Sequence, residues 1–341
     1  MLVTGAAGGL LASQTLLPLP FMLGSLIATA LLSALTGSRF PQGYEFPQGI
    51  RLIFLAVIGV MIGAQVTPDL AVLIPSMMVS FAALTLFVGF AHAGNYAIFR
   101  YLGGYDSPTA FYSGTPGGLM ESIAMGEEAG ADIAILTMQQ FLRIILVISL
   151  LPIGLSIWLG APVGSAGGMT LARAEVDLTL LPIVVVVGAL GLALGKYLRV
   201  PAGQLTGPLF VAALASLSGV VPLELPQWLI NEAQIVIGAS LGMRFGGLKG
   251  RAVMRGVWLG LASVVYMLAL AVPLVLLVQR ITGAAFDMLL ISFAPGGVTE
   301  MALIALSLQA NPALVTAHHI YRIIVTVIGM GLVARMQRWR A

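Results

Sequence analysis

Apolar residues run in long blocks along the chain. They fall at about 2–17, 21–37, 51–66, 71–99 and 131–159, and again at 178–197, 204–220, 228–243, 256–279 and 312–334. A helix needs about 17–25 apolar residues, at about 1.5 Å each, to cross the hydrocarbon core of a bilayer. The blocks therefore predict ten spanning helices, with those near 16 residues marginal. Two further stretches, 108–130 and 287–311, are apolar but interrupted, each by a Pro-Gly-Gly triplet followed by a glutamate. The expected fold is an all-α polytopic membrane protein.

The interrupted stretches expose an internal repeat. Pro116-Gly117-Gly118-Leu119-Met120-Glu121 matches Pro295-Gly296-Gly297-Val298-Thr299-Glu300 at an offset of 179, and ten of the 36 positions in 116–151 are identical in 295–330. Ile58-Gly59 and Gly63 fall on Ile237-Gly238 and Gly242 at the same offset, while Gly24 falls on Gly207. The predicted organisation is a membrane repeat over residues 1–159, a linker over 160–177 and a second membrane repeat over 178–341. The linker carries Pro, Gly, Ser, Arg173, Glu175 and Asp177 without a long apolar run, as an extramembrane segment would.

Composition agrees with a lipid solvent. Of 341 residues, 59% are hydrophobic and 9% charged, against about 45–50% and about 25% in soluble globular proteins. So few charges do not cover a water-facing surface, which excludes a soluble enzyme or a free DNA-binding protein. The 41 glycines suit close helix packing and broken helices. The net charge of +3 comes from basic residues spread thinly between apolar blocks, a pattern that sets membrane orientation and does not grip phosphates. There is no cysteine, hence no disulfide framework or thiolate metal site. Met1 to Thr4 lacks a basic leader region, so the first apolar run reads as a span.

Charge also orients the halves. Each repeat is read as five spans plus a Pro-Gly-Gly stretch that dips into the membrane and returns. The cluster Arg244, Lys249, Arg251 and Arg255 is assigned to the cytoplasm. Arg39, Arg51, Arg100, Lys196, Arg199, Arg335, Arg338 and Arg340 then also fall inside, 12 basic residues against Arg173 and Arg280 outside. Both termini are expected in the cytoplasm. Five is odd, so the second repeat enters from the opposite face: the inverted-repeat layout that recurs in secondary transporters.

Three groups of residues carry candidate chemistry. Pro116, Gly117, Gly118 and Pro295, Gly296, Gly297 would open helices at mid-membrane. Thr115 is read as an N-cap, and the freed N–H groups would favour an anion. Glu121, Arg143, Glu300 and Arg322 are charges in or beside apolar runs, each costly unless partnered. They form either structural Glu–Arg pairs or a site where the arginines bind a substrate carboxylate and a glutamate takes a proton or cation. Gln139-Gln140 and His318-His319 occupy matching places before the arginines; Gln139 is expected to share a helix face with Arg143, and His318 with Arg322. They read as interhelical polar contacts, or as substrate ligands with a histidine carrying the proton. His92, Asn95 and Tyr96 are weaker candidates with no counterpart in the second half. Glu127-Glu128 reads as a solvated hairpin tip. No catalytic motif is present, and three histidines without cysteine make a metal or other cofactor unexpected.

These segments resemble the AbrB-duplication family of bacterial membrane proteins across nearly the whole chain. The resemblance rests on Pro-Ala-Gly-Gln-Leu-Thr-Gly-Pro-Leu (201–209), Ile-Gly-Ala-Ser-Leu-Gly-Met-Arg-Phe (237–245), Ala-Pro-Gly-Gly-Val-Thr-Glu-Met (294–301) and Ala-His-His-Ile-Tyr-Arg (317–322). The first half carries looser versions, with Gln139-Gln140 in place of the histidines. Family labels imply either a regulator of gene expression, which here acts indirectly, or an ammonia monooxygenase. The duplicated layout is more similar to sodium/proton-antiporter and organic-anion symporter folds. The expectation is a multi-pass protein of the bacterial cytoplasmic membrane that transports a small solute, an organic anion by preference, with proton or sodium coupling through the glutamates. Its partners would be the bilayer and that solute, with no nucleic acid; a homodimer is one open assembly. Cysteines introduced at the two ends should both react only from the cytoplasmic face, and labelling of the ends from opposite faces would contradict the layout.

Overall fold

The computed structural model describes residues 1–17, 19–36, 46–66, 68, 74–160, 180–198, 202–219, 223, 225–243, 251–308 and 310–337. Most of the expected linker lies outside the described residues, as do Arg39, Arg173, Arg199, Arg244, Lys249, Arg338 and Arg340. Among the described residues the chain is helical without strands. The first half contains α1 (Leu2–Ala12), α2 (Pro20–Thr36), α3 (Gln48–Gly63), α4 (Ile74–Ala97), α5 (Ser107–Ser113), α6 (Leu119–Glu128) and α7 (Ile133–Leu159). The second contains α8 (Leu181–Leu198), α9 (Gly203–Leu217), α10 (Gln227–Gly242), α11 (Arg251–Thr282), α12 (Phe286–Phe293), α13 (Val298–Ser307) and α14 (Pro312–Gln337). A π-helical turn, Ile98–Leu102, continues α4.

Each of the ten apolar blocks holds a helix, but among the described residues five helices are long and apolar enough to cross a membrane by length and composition: Pro75–Leu102, Ile133–Leu159, Leu181–Leu198, Met254–Thr282 and Pro312–Ala334. The others are shorter. The 11 residues of α1 reach about 16 Å, because Ser13 caps the helix well before the apolar run ends. Polarity is arranged as lipid requires. Leu31, Leu86, Phe90, Val185 and Leu190 are exposed, while Asn95, Gln140, Arg143, His319 and Arg322 are buried.

The chain forms two compact units. One comprises Met1–Ala71, Pro152–Leu248 and Ala302–Ala313; the other comprises Val72–Leu151, Lys249–Met301 and Leu314–Ala341. Each unit draws on both halves of the sequence, so division by compactness cuts across the predicted repeats.

The first unit is built from α1, α2, α3, α8, α9 and α10, packed through glycine. A Cβ on Gly238 would overlap the Met22 carbonyl, and one on Gly242 the Leu26 carbonyl; α10 therefore runs parallel to α2 in close contact. Gly59 meets the Leu205 carbonyl and Gly63 the Leu209 carbonyl, so α3 runs parallel to α9 in the same way. These two sets of contacts are related by the sequence offsets of the repeat. Gly8 against Gly24 and Gly191 against Gly207 form a third matched set. Ile50 and Phe54, from the start of α3, pack with Val236, Ala239 and Met243 from the end of α10, so these helices are antiparallel. Lipid gives no hydrophobic push between helices; backbone approach through small residues supplies the contact.

In the second unit the long helices α4 and α11 are joined by hydrogen bonds. Ser263 Oγ donates to Asn95 Oδ1 (2.8 Å), and Tyr266 Oη donates to the Phe90 carbonyl (2.8 Å). The first Pro-Gly-Gly stretch doubles back. Gly126 of α6 lies against Tyr112 of α5, and the Asp132 N–H, four residues past α6, donates to Thr109 Oγ1 at 2.8 Å. Asp106 caps α5 through the Thr109 N–H (2.8 Å), and Asp132 caps α7 through the Ile135 N–H (3.1 Å). Both limbs thus return to one end, and residues 114–118 form the tip.

Gly191→Ala would drive a methyl into the Pro208 backbone, and a loss of about 1–3 kcal/mol is expected from overpacking. Gly154→Ala meets no atom within 4 Å and should be neutral or stabilising by up to about 1 kcal/mol. Thermal unfolding of the purified variants checks the contrast.

Candidate functional site

All the predicted site residues lie in the second unit. Thr115 to Gly118 and Ala294 to Gly296 are buried, each stretch breaking one helix into two. The helical starts differ from the sequence expectation. Thr115 does not cap a helix beginning at Pro116; α6 starts at Leu119 with Gly118 as its N-cap at φ 64° and ψ 58°. This left-handed backbone suits glycine and disfavours a side chain there. The Thr115 hydroxyl instead pairs with Ser122 Oγ (2.7 Å) and accepts from Gln140 Nε2 (2.7 Å). Likewise α13 begins at Val298, so Pro295 and Gly296 belong to the break.

A broken helix leaves carbonyls without intrahelical donors. The buried arginines supply those donors. Arg143 Nη1 donates to the Thr115 carbonyl, and Arg322 Nη1 donates to the Ala294 carbonyl. These are matching positions at an offset of 179. Arg322 Nη2 also reaches the Gly296 carbonyl at 2.9 Å and His319 Nδ1 at 2.7 Å. The residues at 140 and 319 match as well: Gln140 Nε2 donates to the Tyr112 carbonyl (2.9 Å), and His319 Nε2 to the Ile291 carbonyl (3.0 Å). Each guanidinium therefore sits at the negative, carbonyl end of the short helix before the break. Main-chain carbonyls thus bond both arginines at the breaks.

The glutamates sit over their own helices. Glu121 Oε2 is 3.4 Å from where a Gly118 Cβ would stand, and the Glu300 carboxylate fills the corresponding space at Gly297. Both belong to the first helical turn, where a negative charge complements the exposed N–H groups. Glu300 is buried and Glu121 half-buried. The N-terminal ends expected to attract an outside anion thus already carry a carboxylate of this chain.

The histidine and glutamine faces also depart from the i,i+4 expectation. His319 and Arg322 bond directly at i,i+3, whereas His318 and Gln139 each reach a neighbouring helix, α4 and α11. His318 Nε2 lies 2.6 Å from Ser80 Oγ, and its Nδ1 2.7 Å from the Leu314 carbonyl. Gln139 Nε2 donates to Tyr105 Oη (3.0 Å) and the Gly256 carbonyl (3.1 Å). Ile291 can only accept and the guanidinium can only donate, so His319 holds its hydrogen on Nε2 and accepts at Nδ1. Both its nitrogens are committed. His318 faces a hydroxyl, which can donate or accept. Burial raises the Tyr105 phenol above its ordinary range, partly offset by the Gln139 hydrogen bond and by Arg255.

The weaker candidates hold the first tip in place. A His92 ring nitrogen donates to the Phe111 carbonyl (2.9 Å), Asn95 Nδ2 to the Gly114 carbonyl (3.1 Å), and Tyr96 Oη pairs with Ser107 Oγ (3.0 Å). Glu127 and Glu128 are exposed at the end of α6 remote from the tip. Gly117 lies beside Arg322: a Cβ there would be 3.6 Å from Nε and 3.3 Å from Thr326 Oγ1. The second-half arginine thus borders the first-half break. Ser80, Thr326 and Asp132 were not singled out from sequence; only Asp132, preceding an apolar run, carried a local capping signal.

The sequence profile described as transition state regulatory protein AbrB matches residues 21–338. Similar proteins include "Uncharacterized protein YhjN" of Bacillus subtilis (strain 168), 26% identical over 340 residues, covering 94% of this chain and 88% of the relative. Another is "Putative regulator AbrB" of Escherichia coli (strain K12), 24% identical over 320 residues, covering 94% and 90%.

His319→Ala would strand the Ile291 carbonyl and one Arg322 N–H in a buried site. The expected cost is about 1–3 kcal/mol, read as a lower thermal midpoint. An unchanged midpoint would show that Arg322 draws its support elsewhere.

Proposed function

The chain belongs to the AbrB family, and from that premise we propose that it is a secondary transporter of a small organic anion, working by alternating access in the bacterial cytoplasmic membrane. The observation that carries this reading is the pair of buried arginines. Arg143 and Arg322 are 5% and 1% exposed, and both are held by helix-end carbonyls, with Nε of each unpartnered among the described residues. A buried guanidinium N–H without an acceptor costs more than the bond it could make. A carboxylate arriving between broken helices would supply that acceptor at a depth where irregular backbone is tolerated mainly beside a cavity.

Two inverted repeats, residues 1–159 and 178–341, belong to the same reading. The matched glycine contacts of α2 with α10 and of α3 with α9 support it. So does the antiparallel packing of α3 and α10, which occupy equivalent sequence positions. In this scheme both termini face the cytoplasm, the partners are lipid and solute with no nucleic acid, and the solute leaves chemically unchanged. Glu121, Glu300 and His318 are the groups placed to couple movement to a proton or, for the carboxylates, to sodium. A homodimer is compatible with the scheme.

The name of the Escherichia coli relative favours a second reading, a membrane-embedded regulatory protein that affects gene expression through a partner and moves nothing. Proteoliposome uptake separates the two. Labelled acetate, lactate and succinate should include at least one solute that enters protein-containing vesicles faster than empty ones. Glu300→Gln and Arg322→Ala should each lower that rate about tenfold or more, the loss of one charge-assisted contact. No uptake of any of the three, or wild-type rates in both variants, would defeat the proposal.

A further inference from the structure

Arg143 and Arg322 occupy equivalent places in the sequence, yet their surroundings are unequal. Arg322 is closed. Nη1 is held by the Ala294 carbonyl, and Nη2 by both the Gly296 carbonyl and His319 Nδ1, leaving only Nε–H. Arg143 is open. Among the described residues its one hydrogen bond runs from Nη1 to the Thr115 carbonyl. Nε is buried without a partner, and Nη2 on the same edge makes no bond among the described residues. That edge is the fork that grips a carboxylate through two parallel N–H bonds.

The cause of the inequality is one pair of residues. His319 turns Nδ1 to its arginine. Gln140, in the matching position, spends its amide N–H groups on the Tyr112 carbonyl and on Thr115 Oγ1, and reaches no arginine. The substitution of glutamine for histidine therefore exposes the Arg143 edge. Further unsatisfied polar atoms gather nearby: Gln140 Oε1 and Ser113 Oγ are buried without partners. Arg322 contributes its remaining Nε–H from beside Gly117, two residues from Thr115.

We infer that the two halves have divided their work: the first break, with the open Nε/Nη2 edge of Arg143, seats the substrate carboxylate, while the second, locked by His319 and Arg322, is a rigid counterpart. This inference rests on the organic-anion reading and names the half of the molecule where the anion sits. It also accounts for the mixed character of the unsatisfied atoms. A carboxylate takes the guanidinium donors, and Gln140 Oε1 and Ser113 Oγ remain for a hydroxyl or ammonium group on the same molecule. The class that fits is a small 2-hydroxy or 2-amino carboxylate.

The test is ligand-dependent thermal stabilisation of the detergent-purified full chain. The probes are acetate, lactate, glycine and alanine, with chloride and inorganic phosphate as controls. At least one carboxylate should raise the midpoint of the wild type, with lactate or an amino acid acting at lower concentration than acetate. Arg143→Lys, which keeps the charge and loses the fork, should weaken that probe about tenfold or more. Gln140→His, which offers the edge an internal acceptor, should weaken it similarly and raise the unliganded midpoint. Wild-type affinity in both variants would overturn the inference, as would stabilisation by phosphate alone or by none of the carboxylates. Uptake distinguishes this failure from failure of the transport reading. Binding that depends on Arg143 without uptake keeps the seat and removes transport, whereas uptake indifferent to Arg143→Lys keeps transport and removes the seat.

Discussion

Backbone carbonyls set free inside an apolar protein need donors, and a buried guanidinium needs acceptors. Each requirement is the other's solution at the two breaks. Thr115 and Ala294 present carbonyls where α5 and α12 stop, and Arg143 and Arg322 approach them from α7 and α14. A carboxylate partner would neutralise the arginine but leave the carbonyls unsatisfied. The carbonyl arrangement keeps the positive charge in place and oriented, because the partners are parts of the main chain and do not move as side chains do.

The glycines serve this arrangement at two levels. In the first unit they bring helix backbones into contact, so that Gly59, Gly63, Gly238 and Gly242 each rest on a carbonyl of a neighbouring helix. In the second they let the chain leave one helix and begin another within a few residues. Gly118 takes the left-handed conformation that starts α6, and Gly117 lets Arg322 approach the break from across the unit. The doubled-back course of α5 and α6, fastened at its base by Asp106, Thr109 and Asp132, keeps the tip buried while both ends return to one side.

Equivalence in sequence has not produced equivalence in chemistry. His92, Asn95 and Tyr96 support the first tip, but the corresponding positions of the second half are Ala271, Leu274 and Val275. Gln140 and His319 bond equivalent carbonyls, yet only the imidazole has a second nitrogen turned toward its arginine. On the repeat reading proposed above, a single difference, Gln140 against His319, gives one break an open guanidinium edge and the other a closed one.

The apolar blocks, the internal offset of 179 and the Pro-Gly-Gly triplets were legible in the sequence because each is a local pattern of composition or spacing. They determined an all-helical membrane protein and singled out the two arginines that the fold brings to the helix breaks. What they could not carry was pairing. That Arg143 and Arg322 donate to the carbonyls of Thr115 and Ala294 appears only once the helices are folded against each other. Gln139 and His318 stood at plausible i,i+4 positions until the rotation of α7 and α14 turned them to Tyr105 and Ser80. Hydrogen bonds between groups far apart in the chain depend on which helix faces meet, and tertiary packing decides that.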